Sequence, residues 1–172
     1  NAVEGPLVTL HPGAGSPRRR WPVEAFASLA DDLTRAGASV VLVGGPEDSQ
    51  LTDAVSRAVG KAAVDLGGRL TLPALVGLFA RASLHVGNDS GPAHIARAVA
   101  PATLTLVWGP NMLTAGPIGP ATHHRAALGW GVNCPDCGLQ VVDRECSHES
   151  SVVADIELDE VRSNALELLG LP

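Results

Sequence analysis

The sequence predicts an α/β domain in three layers, a mostly parallel sheet with helices on both faces. Three observations predict it. Short apolar runs alternate with helical periodicities about four times along the chain. Glycine-rich turns follow the first, second, fourth and fifth of those runs. One run, Ser39 to Val43, is β-branched and apolar almost throughout, as expected of a strand covered on both faces.

Size and charge bound the possibilities. The chain has 172 residues, 45% hydrophobic and 17% charged, which suits one domain with a real core and not a disordered segment. A single domain over 1–172 is expected, with a Cys-containing loop at 130–150 inside it. The net charge of −6 argues against a nucleic-acid binder, which normally carries a basic face. No apolar run reaches the roughly 18 residues that a membrane span needs. Asn1 to Pro6 has no basic or apolar segment, so no signal peptide is expected, and the missing initial Met points to a fragment or a processed chain.

The elements follow in order. Leu7 to His11 reads as the first strand, closed by the turn His11-Pro12-Gly13-Ala14-Gly15-Ser16. Pro22 suits a first helical residue, and Val23, Phe26, Ala27, Ala30 and Leu33 keep helical spacing to a stop at Gly37. Strand two is Ser39 to Val43, followed by Gly44-Gly45-Pro46-Glu47-Asp48 and a helix to about Val59. Ala62 to Leu66 reads as a short third strand. Thr71 suits an N-cap for a helix over Leu72 to Ala82. Leu84 to Val86 is the fourth strand, and Ile95 to Val99 the helix beyond its turn. Thr103 to Trp108 is the fifth strand. Gly109 to His148 has many Gly and Pro residues and little periodicity, and Leu158 to Leu169 closes the chain as a helix.

Four places carry chemistry. Asn88-Asp89-Ser90-Gly91-Pro92-Ala93-His94 is a strand-to-helix corner. Free N–H groups and the positive end of a helix dipole make such a corner an anion pocket, and Gly91 admits a ligand close to the backbone. With Asp89 or Ser90 as cap, His94 lies one turn in and leans back over the pocket; the plainer reading is ordinary helix capping. Arg18-Arg19-Arg20 precedes a helix start, the wrong end of the dipole, at roughly 0.3–1 kcal/mol per charge. A bound anion offsets this, since a charge-assisted hydrogen bond contributes about 1.5–3 kcal/mol; a solvated basic turn is the alternative. Gly44 and Gly45 admit a ligand near the backbone, and Glu47 is placed to accept from sugar hydroxyls or to serve as an early helix acid. Cys134, Cys137, Cys146 and His148 are a candidate Cys3His zinc set. Reduced loop thiols or one disulfide are the alternatives there. No P-loop, no classical dinucleotide fingerprint and no nucleophile elbow occurs.

Taken in order, His11-Pro12-Gly13-Ala14-Gly15, Arg19-x-Trp21-Pro22, Gly44-Gly45-Pro46-Glu47, Asp89-Ser90-Gly91-Pro92-x-His94, Trp108-Gly109-Pro110 and Gly116-Pro117-x-Gly119-Pro120 form a pattern. It resembles the C-terminal half of the ADP-heptose:lipopolysaccharide heptosyltransferase family, inverting glycosyltransferases of the GT-B fold with two Rossmann-like domains. The resemblance runs from Leu7 to the final helix.

It implies that this domain binds a nucleotide-sugar donor, an ADP-sugar. Asp89, Ser90, Gly91 and His94 would hold the diphosphate and the transferred sugar. Arg19 would contact phosphate where better-known members have Lys. Glu47, beside Gly45, would meet the ribose or the base. Gly13, Gly15 and Ser16 stand where some members have a hydroxyl-rich turn. Some members carry a cysteine-rich insert before the last helix, often with a fourth Cys that this chain lacks. The resemblance further implies an N-terminal acceptor domain, absent here, that supplies the general base, so the isolated chain is expected to be inactive. No cofactor is expected for transfer. A glycan or glycolipid acceptor and a cytoplasmic site, peripheral at the inner membrane face, are expected. The alternatives are a non-catalytic nucleotide-binding or assembly module derived from such a half, and a sugar-nucleotide epimerase-like domain.

Overall fold

The computed structural model describes residues 5–60, 63–116 and 122–172. The strands are β1 (Leu7–His11), β2 (Ser39–Leu42), β3 (Ala63–Asp65), β4 (Leu84–Asn88), β5 (Thr103–Trp108) and β6 (His124–Gly129). The α-helices are α1 (Val23–Arg35), α2 (Ser49–Val59), α3 (Leu72–Arg81), α4 (Gly91–Val99), α5 (Gly109–Ala115) and α6 (Leu158–Leu169), with short 3-10 turns at Pro17–Arg19 and Pro46–Asp48. All strand pairs are parallel, in the order β3-β2-β1-β4-β5-β6. The order therefore reverses between β1 and β4. A doubly wound sheet opens a crevice at that point, beyond the carboxyl ends of the strands.

The two faces of the sheet are built differently. Successive strand residues point to opposite faces. On one face Val8, Leu10, Val40, Leu42, Leu84, Val86, Leu104 and Leu106 are buried against α1, α2 and α6, with Phe26, Leu29, Leu33, Val55 and Val161 as partners. The residues between them include Thr9, His85, Thr103 and Thr105, buried and polar. That second face lies under α3 and α4, where the apolar cluster is small: Val43, Phe79, Ala96 and Ala100. Some of its polar atoms find partners within the layer, while His85 Nε2 and Arg97 Nε are buried without one among the described residues. Thr9 Oγ1 lies 3.0 Å from His85 Nδ1, and Arg97 donates to Thr105 Oγ1 at 3.3 Å. The Phe79 ring sits edge-on to His85 with centroids 4.7 Å apart.

The expected elements are present, with four differences. β4 continues two residues past Val86, so Asn88 belongs to the strand and not to the turn. α4 begins at Gly91, with Pro92 in its first turn, four residues before Ile95. Pro22 is the N-cap of α1 and Val23 its first residue. Within the stretch read as irregular, Gly109–Ala115 is a helix and His124–Gly129 is the sixth strand. β6 was hidden because its residues, HRAALG, are half-polar at a sheet edge and rich in Ala, without β-branched signal. The Gly37 stop has φ +93°, as a glycine ending a helix should. Ala62, the Pro117-to-Pro120 part of the family pattern and most of the Asn1–Pro6 segment lie outside the described residues. Among the described residues no helix is long and apolar enough to cross a membrane.

His85 makes a stability prediction. Burial, reinforced by the neighbouring His11, pushes its pKa down to about 3. The unfolded chain protonates it near the ordinary value of about 6.5, so its contribution is intact above that pH. As pH falls from there towards the folded value, the unfolded state gains the proton first and stability drops. We expect about 2 kcal/mol to be lost from this residue between about pH 7 and about pH 5. Urea melts across that range should show a shallower pH slope for His85→Gln; equal slopes would contradict the assignment.

Candidate functional site

The carboxyl ends of β1 and β4 meet at the point where the strand order reverses, and both end in buried polar residues, His11 and Asn88. Asn88 joins three pieces of chain. Its Nδ2 donates to the carbonyls of Pro12 at 2.8 Å and Gly13 at 3.3 Å. Its Oδ1 accepts from the Trp21 backbone N–H at 3.0 Å. Trp21, buried, donates its indole N–H to the Ile156 carbonyl at 2.9 Å and packs edge-on against Phe26. The three arginines before it diverge. Arg20 turns inward and donates twice to the Ala14 carbonyl, at 3.3 and 3.0 Å. Arg18 and Arg19 face cavities.

His11 sits at the centre of a second network. Its Nε2 donates to Asp48 Oδ2 at 3.1 Å, and its Nδ1 lies 3.3 Å from Ser90 Oγ. The His11 hydrogen bond holds the Asp48 carboxyl below its ordinary range, against the opposing effect of burial. Asp48 also accepts from the Gly45 N–H at 3.2 Å. Gly13 is needed for this packing, because a Cβ there would stand 2.2 Å from Asp48 Oδ1. At Gly45 a Cβ would stand 2.6 Å from the Glu47 carboxylate, which folds back over the turn.

The α4 corner is ordered by contacts other than capping. Ser90 occupies the N-cap position, but its hydroxyl turns to the Asn88 carbonyl at 3.0 Å and to His11, and makes no cap bond. Asp89, buried, accepts from Asn111 Nδ2 at 3.1 Å and lies 3.6 Å from His94 Nε2. Asp89 is therefore an orienting group beneath His94, whose ring is half exposed.

Two cavities share Gly15, Ser90 and Gly91 and so form one cleft along the sheet edge. The arm over β2, about 370 Å³, is lined by Gly45 and Glu47 and by the apolar wall Leu70, Leu72 and Leu75. The arm over β5, about 480 Å³, is lined by Arg19, Asp89 and His94 and by Asn111 and Thr114 of α5. One arm thus suits a flat, partly apolar group and the other an anion. Gly15, Arg19, Gly45, Glu47, Asp89, Ser90, Gly91 and His94 come together there. Gly13 lines neither arm and packs on Asp48. Ser16 lines a third, adjoining cavity with Arg19. His11, Asn88 and Asp48 stood within the motifs read from sequence but were given no role of their own; for His11 and Asn88 a polar residue at the end of a buried strand was the available signal. Asn111 and Thr114 were missed because α5 was. Gly109-Pro110 after a strand repeats the Gly91-Pro92 helix start and could have marked it.

Cys134, Cys137, Cys146 and His148 cluster with their ligand atoms within 4.8 Å of one another. Tetrahedral zinc at about 2.3 Å from each sulfur sets sulfurs roughly 3.8 Å apart, so a small closure completes the set. The Cys134 thiol is buried and drawn down to about 7, first by the backbone N–H of Cys137. A thiolate of that kind is the form that ligates. The donor set, rich in thiolate with one imidazole, fits zinc or iron. The loop that carries it is tied to the arginine turn: Val152 N–H donates to the Arg18 carbonyl at 2.8 Å, and Ser151 Oγ to the Arg20 carbonyl at 2.7 Å.

Comparison with known proteins adds the following. The model of a family described as glycosyltransferase family 9 (heptosyltransferase) matches residues 1–132. Lipooligosaccharide heptosyltransferase 2 of Haemophilus influenzae is 36% identical over 101 residues, covering 56% of this chain and 29% of that protein. Lipopolysaccharide heptosyltransferase 2 of Salmonella typhimurium is 34% identical over 113 residues, covering 63% and 32%. The solved E. coli ADP-heptose LPS heptosyltransferase II superposes with a TM-score of 0.77 at 26% identity, over 98% of this chain and 47% of that one. A dodecameric iron-containing heptosyltransferase, TibC, solved with ADP-D-β-D-heptose, shares the fold at a TM-score of 0.66 and 16% identity, over 98% and 46%. The matched part is about a third of the curated relatives and about half of the solved structures.

A metal at the Cys3His cluster is a direct test of its geometry. Purified chain is expected to carry about one equivalent of zinc or iron, and chelation to lower its melting temperature. Metal content unchanged in Cys134→Ser with Cys137→Ser would remove the site.

Proposed function

The chain belongs to glycosyltransferase family 9, and on that premise we propose that it is the donor-binding domain of an inverting heptosyltransferase. One observation carries the reading: a single cleft at the strand-order reversal has an apolar arm with a carboxylate and a second arm with Arg19 and His94. An ADP-sugar has the same two ends. The base lies against Leu70, Leu72 and Leu75, with Glu47 accepting from ribose hydroxyls. The diphosphate spans Gly15 and the backbone at Ser90 and Gly91, where the amino end of α4 favours negative charge.

In the reaction, the acceptor hydroxyl oxygen forms a bond to the anomeric carbon from the face opposite the leaving group. The bond from that carbon to the β-phosphate oxygen breaks, and the nucleoside diphosphate leaves with its electron pair. Arg19 and His94, with the α4 dipole, stabilise that developing charge. Arg19 offers a planar fork to phosphate oxygens. Asp89 orients His94 from below. The acceptor proton goes to a general base that we assign to the acceptor domain of the whole enzyme. Asp48 is engaged by His11 and Asp89 by Asn111, which leaves neither free for that role. The enzyme acts on a glycan or glycolipid of the lipopolysaccharide kind, in the cytoplasm at the inner membrane face, and the Cys3His metal has a structural role.

Calorimetry with ADP tests this directly. Arg19→Ala removes charge-assisted bonds of about 1.5–3 kcal/mol, so affinity should fall about 10- to 150-fold. His94→Ala should cost about tenfold. Unchanged affinity in both variants would sink the donor assignment. Sugar transfer by the isolated chain would overturn the assignment of the base to another domain.

A further inference from the structure

Beside the donor cleft, on the side away from Glu47, lies a third cavity of about 260 Å³. Its wall carries Arg18, Arg19 and Arg144, one acid, Glu145, and Trp108 and Ser16. The chain as a whole is net −6, so this basic pocket runs against the charge of the molecule. Intramolecular pairing does not explain it. Among the described residues, none of the three guanidinium groups has a hydrogen-bonded or ion-paired partner, and Arg18 Nη2 is buried as well. Arg20, next in sequence, shows what an arginine with a structural role does here: it donates to Ala14.

A buried guanidinium nitrogen without a partner costs free energy that an anion would recover. Like charges around one cavity repel until something negative separates them. Guanidinium forks match carboxylate and phosphate oxygens in particular. The position is also specific. Arg19 and Asn111 line both this cavity and the arm assigned to the diphosphate, so a group held here sits next to the sugar end of the donor. Arg144 comes from the loop that carries Cys146, and that loop is tied to the arginine turn through Val152 and Ser151.

We infer that this cavity is a second anion site, distinct from the donor diphosphate site, which receives a phosphate or carboxylate group of the acceptor. The acceptor assignment rests on the donor reading of the neighbouring cleft; the anion site itself does not.

The test follows arginine side-chain NMR signals of the whole chain during titration with inorganic phosphate, with and without saturating ADP. Saturable shifts at Arg18 and Arg144 that persist under ADP are the expected result. Arg144→Gln, at an exposed position that should not disturb folding, and Arg18→Gln should each weaken phosphate about tenfold or more. ADP affinity should change by less than about twofold in both. Loss of the phosphate response under ADP would mean a single site, the donor's own, and would overturn the inference. So would absence of saturable binding, or variants that bind phosphate as the parent does. A chain that binds phosphate in this cavity but not ADP would instead leave the anion site standing and defeat the donor reading. Acetate in place of phosphate separates the sources: competition by acetate points to a carboxylate group, and its absence to a phosphate.

Discussion

The Asn88 carboxamide is the joint on which the cleft depends. It is fully buried at the end of β4, and it serves the Pro12 and Gly13 carbonyls and the Trp21 N–H together. Each of those backbone groups, left alone in the interior, would cost about 1–3 kcal/mol. The loop after β1 and the start of α1 are thereby held in one register with β4. The strand order reverses between β1 and β4, so no ladder partner beyond the strand ends can do this work. Arg19 projects from the segment so held, and the corner at Ser90 and Gly91 begins two residues beyond the joint.

A second constraint runs through His11. Its ring reaches Asp48 from one nitrogen and Ser90 from the other, across the turns after three different strands. The network is buried, so its groups are oriented before any ligand arrives. Pre-orientation is what electrostatic stabilisation of a leaving group requires, since dipoles that must reorganise during the reaction lose most of their effect. The layer under α3 and α4, with Thr9 and His85, carries polar side chains into the sheet: the face beneath the cleft is polar and partly hydrogen-bonded, and the opposite face is apolar. Cohesion comes mainly from the face packed on α1, α2 and α6, which leaves the other face and its strand ends to polar chemistry.

Much of this was legible in the residues. Alternating apolar and helical runs showed the parallel α/β sheet, because the periods of strand and helix are distinct and burial enforces them. The glycine turns after strands pointed to the edge where the cleft lies. Arg19, Glu47, Ser90, Gly91 and His94 were named from motif chemistry, and they line one cleft. Other assignments were not legible. Arg18, Arg19 and Arg20 are identical in type and consecutive, yet one serves Ala14 and two face cavities; the difference arises from where the chain turns. Gly13 looked like a ligand-facing glycine and packs on Asp48, since a partner 35 residues away in sequence leaves no local mark. β6 and α5 were lost in a stretch whose periodicity is weak because its strand lies at a sheet edge.

By itself, then, the sequence determined the class of fold, the edge that carries the cleft and the chemical types that line it. Those follow from hydrophobic period and backbone requirements, which are local. Only the tertiary structure decided which polar groups are spent on holding the loops and which remain free for a ligand. That division depends on contacts between segments far apart in the chain, such as Asn88 with Pro12, His11 with Asp48 and Val152 with Arg18. A buried polar side chain must find its partner wherever folding brings one, and no spacing along the chain encodes which one it will be.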